Sequence, residues 1–366
     1  MSTTLATTPI LPGDNAREQL RALGIPAAHA ARWAEMGPAV SATLWTYSGH
    51  ALLEAHRTTS AHRTIVDACL LDGGDAGAAA LESARTWEVL IQAVLDAAPH
   101  APLVKAVTRD EGPLFEEALR CRGFLAAGSV GSPLSIDDDT NHGHASVRGW
   151  VRWNVRPQAI PAYVRQKTDF TCGPASALMA LAHASGCASD EVSHGLRDEM
   201  ELWRESTYSL GVGPYGLAAA LARRGQSVEV IVSHEGPLVG LTRAHAASPA
   251  ARRAIHRQHV DEARALGVRD RIGTWDLSDL RAAVQQGNGV IVLVDLEDLN
   301  GEQTPHWIYV WGIVGEYALI HDPWNDEQFG ETWVETWLEV ITLEQLWESA
   351  QWEEEERARA FIIVHR

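Results

Sequence analysis

A chain of 366 residues, 46% of them hydrophobic, is too long for one ordinary core and polar enough to stay in water, so two domains are expected. Its 48 acidic against 30 basic residues give a formal charge of −18 with no Lys/Arg cluster, which argues against nucleic acid as a partner, because that affinity rests on neutralising phosphates. No basic stretch followed by an apolar one opens the chain, and no run of about 18 apolar residues occurs, so neither an export signal nor a membrane span is expected and the chain is placed in the cytoplasm.

The first region reads as an α/β domain over residues 1–134. Apolar runs at Thr64–Leu71 and Leu103–Val107 have the texture of strands, and the Ala- and Glu-rich stretch Ala78–Ala98 has helical spacing. The segment Leu103–Phe124, a strand followed by the helix Glu111–Arg120 and then Arg122-Gly123-Phe124, resembles the closing strand–helix–strand of GNAT-type acyltransferases. Those enzymes hold the acetyl-CoA pyrophosphate on a glycine-rich turn at a helix start. The nearest candidate here, Gly73-Gly74-Asp75-Ala76-Gly77, carries an acid where phosphate would sit, so the domain is expected to be a degenerate GNAT-like fold and the protein to need no cofactor.

The acidic stretch Ser135–His144, with Asp137-Asp138-Asp139, cannot bury enough apolar area to order itself, so residues 135–147 are read as a linker and 148–366 as the second domain. That domain holds 11 of the 14 tryptophans, which are expected mostly as core or groove wall. Helices are expected at Ala175–His183, Glu199–Glu205 and Gly216–Arg224, and strands at Val290–Val294 and His306–Val314. The run Glu353–Glu356 reads as the end of a solvated helix.

Chemistry concentrates in this second region. Gln166-Lys-Thr-Asp-Phe-Thr-Cys172-Gly-Pro-Ala-Ser-Ala-Leu-Met is an extended polar entry, a cysteine, and a helix in whose first turn Pro174 is tolerated. A sulfur there faces unpaired N–H groups and the positive end of the helix dipole, which favour a thiolate. A base is supplied by His306, at the start of one strand, and an orienting acid by Asp322, at the end of the returning strand Tyr317-Ala-Leu-Ile-His-Asp. For His306 and Asp322 to lie directly opposite on one face the hairpin must be centred on Val314; a two-residue turn at Gly315-Glu316 would pair Asp322 with Tyr309 on the other face, so an odd-length loop or a bulge is required. Gln166, six residues ahead of Cys172, is placed to donate to an oxyanion together with the Cys172 backbone N–H. Such donors are typically worth about 2.7–4 kcal/mol in the transition state.

The other candidates have weaker sequence support. Arg204 either grips a substrate carboxylate or, the favoured reading, pairs with a glutamate of its own helix; Tyr215 lines an acyl pocket or simply packs at a helix start; Trp307, next to the base, is a candidate substrate-groove wall. His321 points away from Asp322 and reads as a satisfied imidazole. Cys69, Cys121 and Cys187 fall at no CxxC spacing and read as packing or semi-exposed thiols, and His183 with Cys187 has too few ligands for zinc, so no metal site is expected.

Gln-x5-Cys-Gly-Pro, a distant His-Trp, and an Asp-Pro sixteen residues beyond that histidine are together similar to the C39-peptidase-like family. Glu201-Leu-Trp-Arg204-Glu and Gly213-Pro-Tyr-Gly-Leu-Ala resemble its bacterial subgroup often fused to a GNAT-like domain. The resemblance covers about Ile160 to Asn325. It implies an α+β architecture overall: a papain-like cysteine-peptidase fold, a Cys-bearing helix on an antiparallel sheet, following the GNAT-like domain. It also implies a triad of Cys172, His306 and Asp322 with Gln166 in the oxyanion hole, acting at an amide or thioester carbonyl. No ABC-transporter segment accompanies the domain, so export-coupled leader cleavage is not implied, and Ser206-Thr-Tyr-Ser-Leu stands where the subgroup is richer in glycine.

The expected enzyme is therefore a cysteine peptidase or amidase acting on a peptide, an acyl-carrier-type substrate or a small amide. The rivals are an acyltransferase or transpeptidase using the same thioester, a binding module with an unused triad, and an acetyltransferase seated in the first domain. Oligomeric state is left open.

Overall fold

The computed structural model describes residues 4–11, 13, 15–71, 80–109, 112–127, 147–157, 159–186, 195–208, 210–238, 249–273, 275–352 and 357–366. The Gly73–Gly77 turn, the Ser135–His144 stretch, Cys187 and the Glu353–Glu356 run lie outside these residues. None of the described helices is long and apolar enough to cross a membrane.

The first half is a seven-stranded sheet with helices. Strand β1 (Ala6–Ile10) is followed by helices α1 (Ala16–Ala22) and α2 (Ala27–Trp33), then by β2 (Val40–Tyr47), β3 (His50–Arg57) and β4 (Arg63–Leu70). Helix α3 (Ala80–Ala97) leads to β5 (Leu103–Thr108), α4 (Pro113–Cys121), β6 (Leu125–Ala126) and β7 (Arg148–Trp153). The strand order is β1-β2-β3-β4-β5-β7-β6, with β4 and β5 parallel and the other neighbours antiparallel.

The domain boundary expected at 148 is corrected by this sheet. Residues Arg148–Trp153 pair along the whole of β5, from Leu103↔Trp153 to Thr108↔Arg148, and so complete the first domain. The tryptophan-rich texture of the segment matches that of the second region. Trp150 instead packs in the first domain's core, with its indole N–H donating to Thr108 Oγ1 at 3.0 Å.

The second half comprises α5 (Cys172–Ser185), α6 (Leu196–Ser206), α7 (Pro214–Arg223), β8 (Ser227–Val232), α8 (Pro249–Ala265), β9 (Arg269–Ile272), α9 (Leu277–Gln285) and β10 (Gly289–Asp295). It continues with α10 (Glu297–Asn300), β11 (Pro305–Val314), β12 (Tyr317–His321), α11 (Trp333–Thr336), β13 (Glu339–Thr342), α12 (Leu343–Ser349) and β14 (Ala360–His365). Its sheet runs β13-β12-β11-β10-β14-β8-β9, antiparallel except for β8 with β9. Strand β10 is buried along nearly its whole length because both of its faces are covered: Ile291 and Leu293 face the core shared with α5, while Val290, Val292 and Val294 face that of α9 and α12.

The two sheets are joined by packing as well as by the chain. Leu103, Val107 and Val151 of the first sheet share one apolar core with Trp333, Val334, Trp337 and Leu338 of the second half. At Gly149 a side chain would place its Cβ 2.7 Å from the Trp333 ring, so only glycine lets β7 approach so closely. Ala61 N–H donates to Val340 O at 2.7 Å, and Lys105 Nζ donates to the carbonyls of Glu335 and Trp337 at 2.6 and 2.9 Å.

Candidate active site

Cys172 is the first residue of α5, directly after the N-cap Thr171, so its backbone N–H lies among those the helix leaves unpaired. Gly173 fits tightly: a Cβ there would lie 3.2 Å from the Trp307 ring and 3.4 Å from Leu217. Two hydrogen bonds then hold the helix along β11, and a third ties β11 to the segment before α7. Ser176 Oγ donates to Trp307 O at 3.1 Å, the Trp307 indole to Val212 O at 3.0 Å, and His183 Nδ1 meets the Tyr309 hydroxyl at 2.6 Å. This seating brings the helix start to the strand start, where the Cys172 side chain lies beside His306.

His306 is also bound on its other side. Its Nε2 lies 2.7 Å from Asp322 Oδ1, which leaves Nδ1 as the nitrogen available to sulfur. The hairpin reaches this geometry through a bulge. The turn is the two-residue Gly315–Glu316 one, pairing Val314 with Tyr317, and the register slips at Trp311 so that Tyr309 faces His321. Continuing that register sets Ile308 across from Asp322, so His306 and Asp322 share a face and meet on the diagonal, not directly opposite as a hairpin centred on Val314 would have it.

Asp322 is wholly buried, yet each carboxylate oxygen is satisfied. Oδ1 also accepts the Trp324 N–H at 2.9 Å, and Oδ2 accepts Arg57 Nη1 at 3.1 Å from the end of β3 in the first domain. Burial alone would raise the Asp322 carboxyl, but the His306 charge and hydrogen bond, with help from Arg57 and Trp324, bring it below the ordinary value. For His306 burial works downward, and the Asp322 charge, the hydrogen bond to Asp322 and the contact with Cys172 overcome it, pushing the imidazole up to about 10. That upward shift favours the imidazolium, the form able to pair with a sulfur anion.

The Gln166 N–H donates to Pro323 O at 3.0 Å, which lays the entry segment alongside the Asp322 turn. Its side chain is buried, and Nε2 donates to Thr168 O at 2.7 Å, leaving the second amide hydrogen. The loop from here to Cys172 is tied down by a residue to which the sequence reading gave no role. Glu199 of α6, almost wholly buried, accepts the Lys167 N–H at 2.8 Å and the Thr171 hydroxyl, while Thr168 Oγ1 and Thr171 Oγ1 are 2.8 Å apart. Only the sequence cluster of glutamates around Trp203 pointed toward it.

The remaining candidates stand elsewhere. Trp307 is 2% exposed and its indole is committed to Val212, so it backs the nucleophile's helix and cannot wall a substrate groove. Arg204 is exposed and, among the described residues, makes no ion pair, so the expected pairing with a glutamate of its own helix, where Glu201 is the facing one, is not formed. Tyr215 is buried, donates to Asp270 Oδ2 at 3.2 Å and packs edge-on against His256 at the wall of a separate groove lined by Arg252, Arg253 and Arg257. His321 is the satisfied imidazole expected: it bonds Pro161 O at 3.1 Å and accepts the Leu338 N–H at 3.3 Å, and burial takes it down to about 3. Cys69 is buried and Cys121 exposed, and neither forms a disulfide among the described residues.

Residues 161–365 match the sequence profile of a family described as Peptidase_C39 like. Among solved structures the chain is similar to the peptidase domain of Streptococcus ComA, a bi-functional ABC transporter involved in a quorum sensing pathway, at 14% identity over 56% of this chain and 98% of that one, with a TM-score of 0.28. It is similar also to a protein of Bacillus anthracis described as a C39-like peptidase, at 14% identity over 56% of this chain and 94% of the other, again with a TM-score of 0.28. A comparison with curated proteins finds no match. Because the profile spans more than half of the chain and takes in the cysteine, histidine and aspartate just described, this protein belongs to the Peptidase_C39 like family.

Proposed function

We propose that this is a cysteine-nucleophile enzyme of papain-like design that opens an amide or thioester carbonyl through a thioester acyl-enzyme. The observation that carries the reading is the continuous chain of contacts from Cys172 at a helix start, through His306, to Asp322 Oδ1 at 2.7 Å. The Cys172 thiolate attacks the carbonyl carbon, and the resulting oxyanion takes the Cys172 backbone N–H and the second Gln166 amide hydrogen. His306 then gives its proton to the departing amine or thiol as the bond to it breaks, leaving the acyl group on sulfur. Neutral His306 next removes a proton from water, which attacks the thioester and releases the acid and the thiolate. With an amine in place of water the same steps form an amide. The site suits a peptide, a small amide or an acyl-carrier thioester as substrate.

The first domain is read here as a degenerate GNAT-like unit without acetyl-CoA. What supports it is that β5, α4 and β6 follow one another as strand, helix and strand over the segment on which that resemblance rests.

The test is intact-protein mass spectrometry of wild type and Cys172→Ala after incubation with peptide and thioester libraries. A covalent acyl adduct on the wild type, mapped to Cys172 and missing from the variant, is expected. Turnover without such an adduct, or turnover retained in Cys172→Ala, contradicts the reading.

A further inference from the structure

We infer that Arg57 of the first domain is a positioning residue for the triad acid of the second, so that the two halves make one active unit and neither completes the site alone. The inference rests on the cysteine-nucleophile reading above.

Arg57 ends β3, and its side chain crosses the seam between the sheets, where it is 6% exposed. Its planar fork is fully engaged on the far side. Nε and Nη2 hold the two oxygens of Glu331 at 3.0 and 2.9 Å, a bidentate grip that fixes the guanidinium plane. Nη1 is thereby aimed at Asp322 Oδ2, 3.1 Å away, with Glu339 at 3.4 Å. The seam around it is registered by Ser60 Oγ donating to Glu339 at 3.1 Å and by the Val340 N–H reaching His62 at 3.2 Å. A lysine ammonium, a point charge, cannot hold Glu331 in two places and still reach Asp322 along a fixed direction.

The charges leave Arg57 little redundancy. Besides Arg57, Asp322 faces His306 from β11 and the acids Glu331 and Glu339, with Lys105 of β5, His62 and the Tyr163 hydroxyl around them. Without the guanidinium, the carboxyl groups of Asp322, Glu331 and Glu339 share a buried space with His306 and with Lys105, whose ammonium burial pushes down to about 7. Oδ2 of Asp322 then has no donor and a proton becomes its cheapest partner, which releases the orientation of His306. Arg57 does not touch the reacting atoms; it acts by keeping Asp322 ionised and turned toward the imidazole.

The readout is the pH profile of Cys172 alkylation by iodoacetamide, followed by peptide mass mapping so that the other thiols do not interfere. Arg57 favours the ionised Asp322, so its removal raises the pH at which that acid takes a proton. Arg57→Met should move the acid limb of Cys172 reactivity upward by about one pH unit or more. Arg57→Lys should keep the limb and lose plateau rate, and Ser60→Ala, an uncharged change at the same seam that does not touch Asp322, should leave the limb in place. A folded Arg57→Met with the wild-type limb overturns the proposal. Should that variant not fold, Arg57→Lys decides, and a wild-type plateau rate and limb together overturn it. If instead His306→Ala leaves the wild-type profile unchanged, the nucleophile reading itself fails and takes this inference with it.

Discussion

The start of α5 and the end of β12 carry the two ends of one site, and they are built by different means. At the α5 end the placement is local: an extended loop, a helix start, a glycine that fits under Trp307, and a proline tolerated in the first turn, all within a few residues of Cys172. At the β12 end little is local. Asp322 depends on a strand slip at Trp311 and on a guanidinium 265 residues earlier in the chain. A nucleophile can thus be specified by a short motif, whereas the acid behind it is kept ionised by its hairpin partner His306 together with a guanidinium delivered by the packing of two sheets.

If this contrast is right, the greatest loss comes from the distant end. Asp322→Asn preserves shape but removes the charge that keeps His306 protonated and oriented, and acylation of Cys172 should fall by up to about 10⁴-fold in rapid-quench assays. A loss below tenfold would mean that the cysteine end suffices by itself. Gln166→Ala tests the local end: losing one oxyanion donor should cost about 10²–10³-fold in kcat with little change in binding, measured with the same substrate.

A smaller effect concerns stability. His306 in the folded protein is pushed from 6.5 up to about 10, so folding binds its proton more tightly. The stabilisation is fully present below about pH 6.5 and is lost as the pH rises towards 10. Thermal melts should therefore show wild type losing stability across that window, with the slope flattened in His306→Ala; parallel curves would count against the buried imidazolium. The smallest effect is expected at Arg204→Ala, an exposed change with no ion pair among the described residues: fold stability should stay within about 0.5 kcal/mol. Substrate affinity measured on the same variant then reports directly on a carboxylate grip.

The difference between the two ends is also the limit of what the sequence displays. The Cys172 motif, the His306 and Asp322 strands and the need for a hairpin irregularity can be read from spacing, because helix starts and strand registers obey short-range rules. The bulge position cannot, since Trp311 is placed by packing beside His321. Arg57 was invisible for a related reason: no motif surrounds it in the sequence, and only the seam between the sheets gives it three acids. Likewise β7 carries tryptophans typical of the second region, yet it is drawn into the first sheet by the unpaired edge of β5. Glu199 sits in a helix that was expected, but its buried face turned toward the Lys167–Thr171 loop is a tertiary fact.

Whether His306 stands as an imidazolium between Cys172 and Asp322 can be read by nuclear magnetic resonance of protein carrying labelled histidine. At neutral pH the His306 ring should be doubly protonated, remain so well into the alkaline range, and move toward ordinary behaviour in Asp322→Asn. A His306 ring already neutral at neutral pH in the wild type, titrating as it does in the unfolded chain, would contradict the imidazolium.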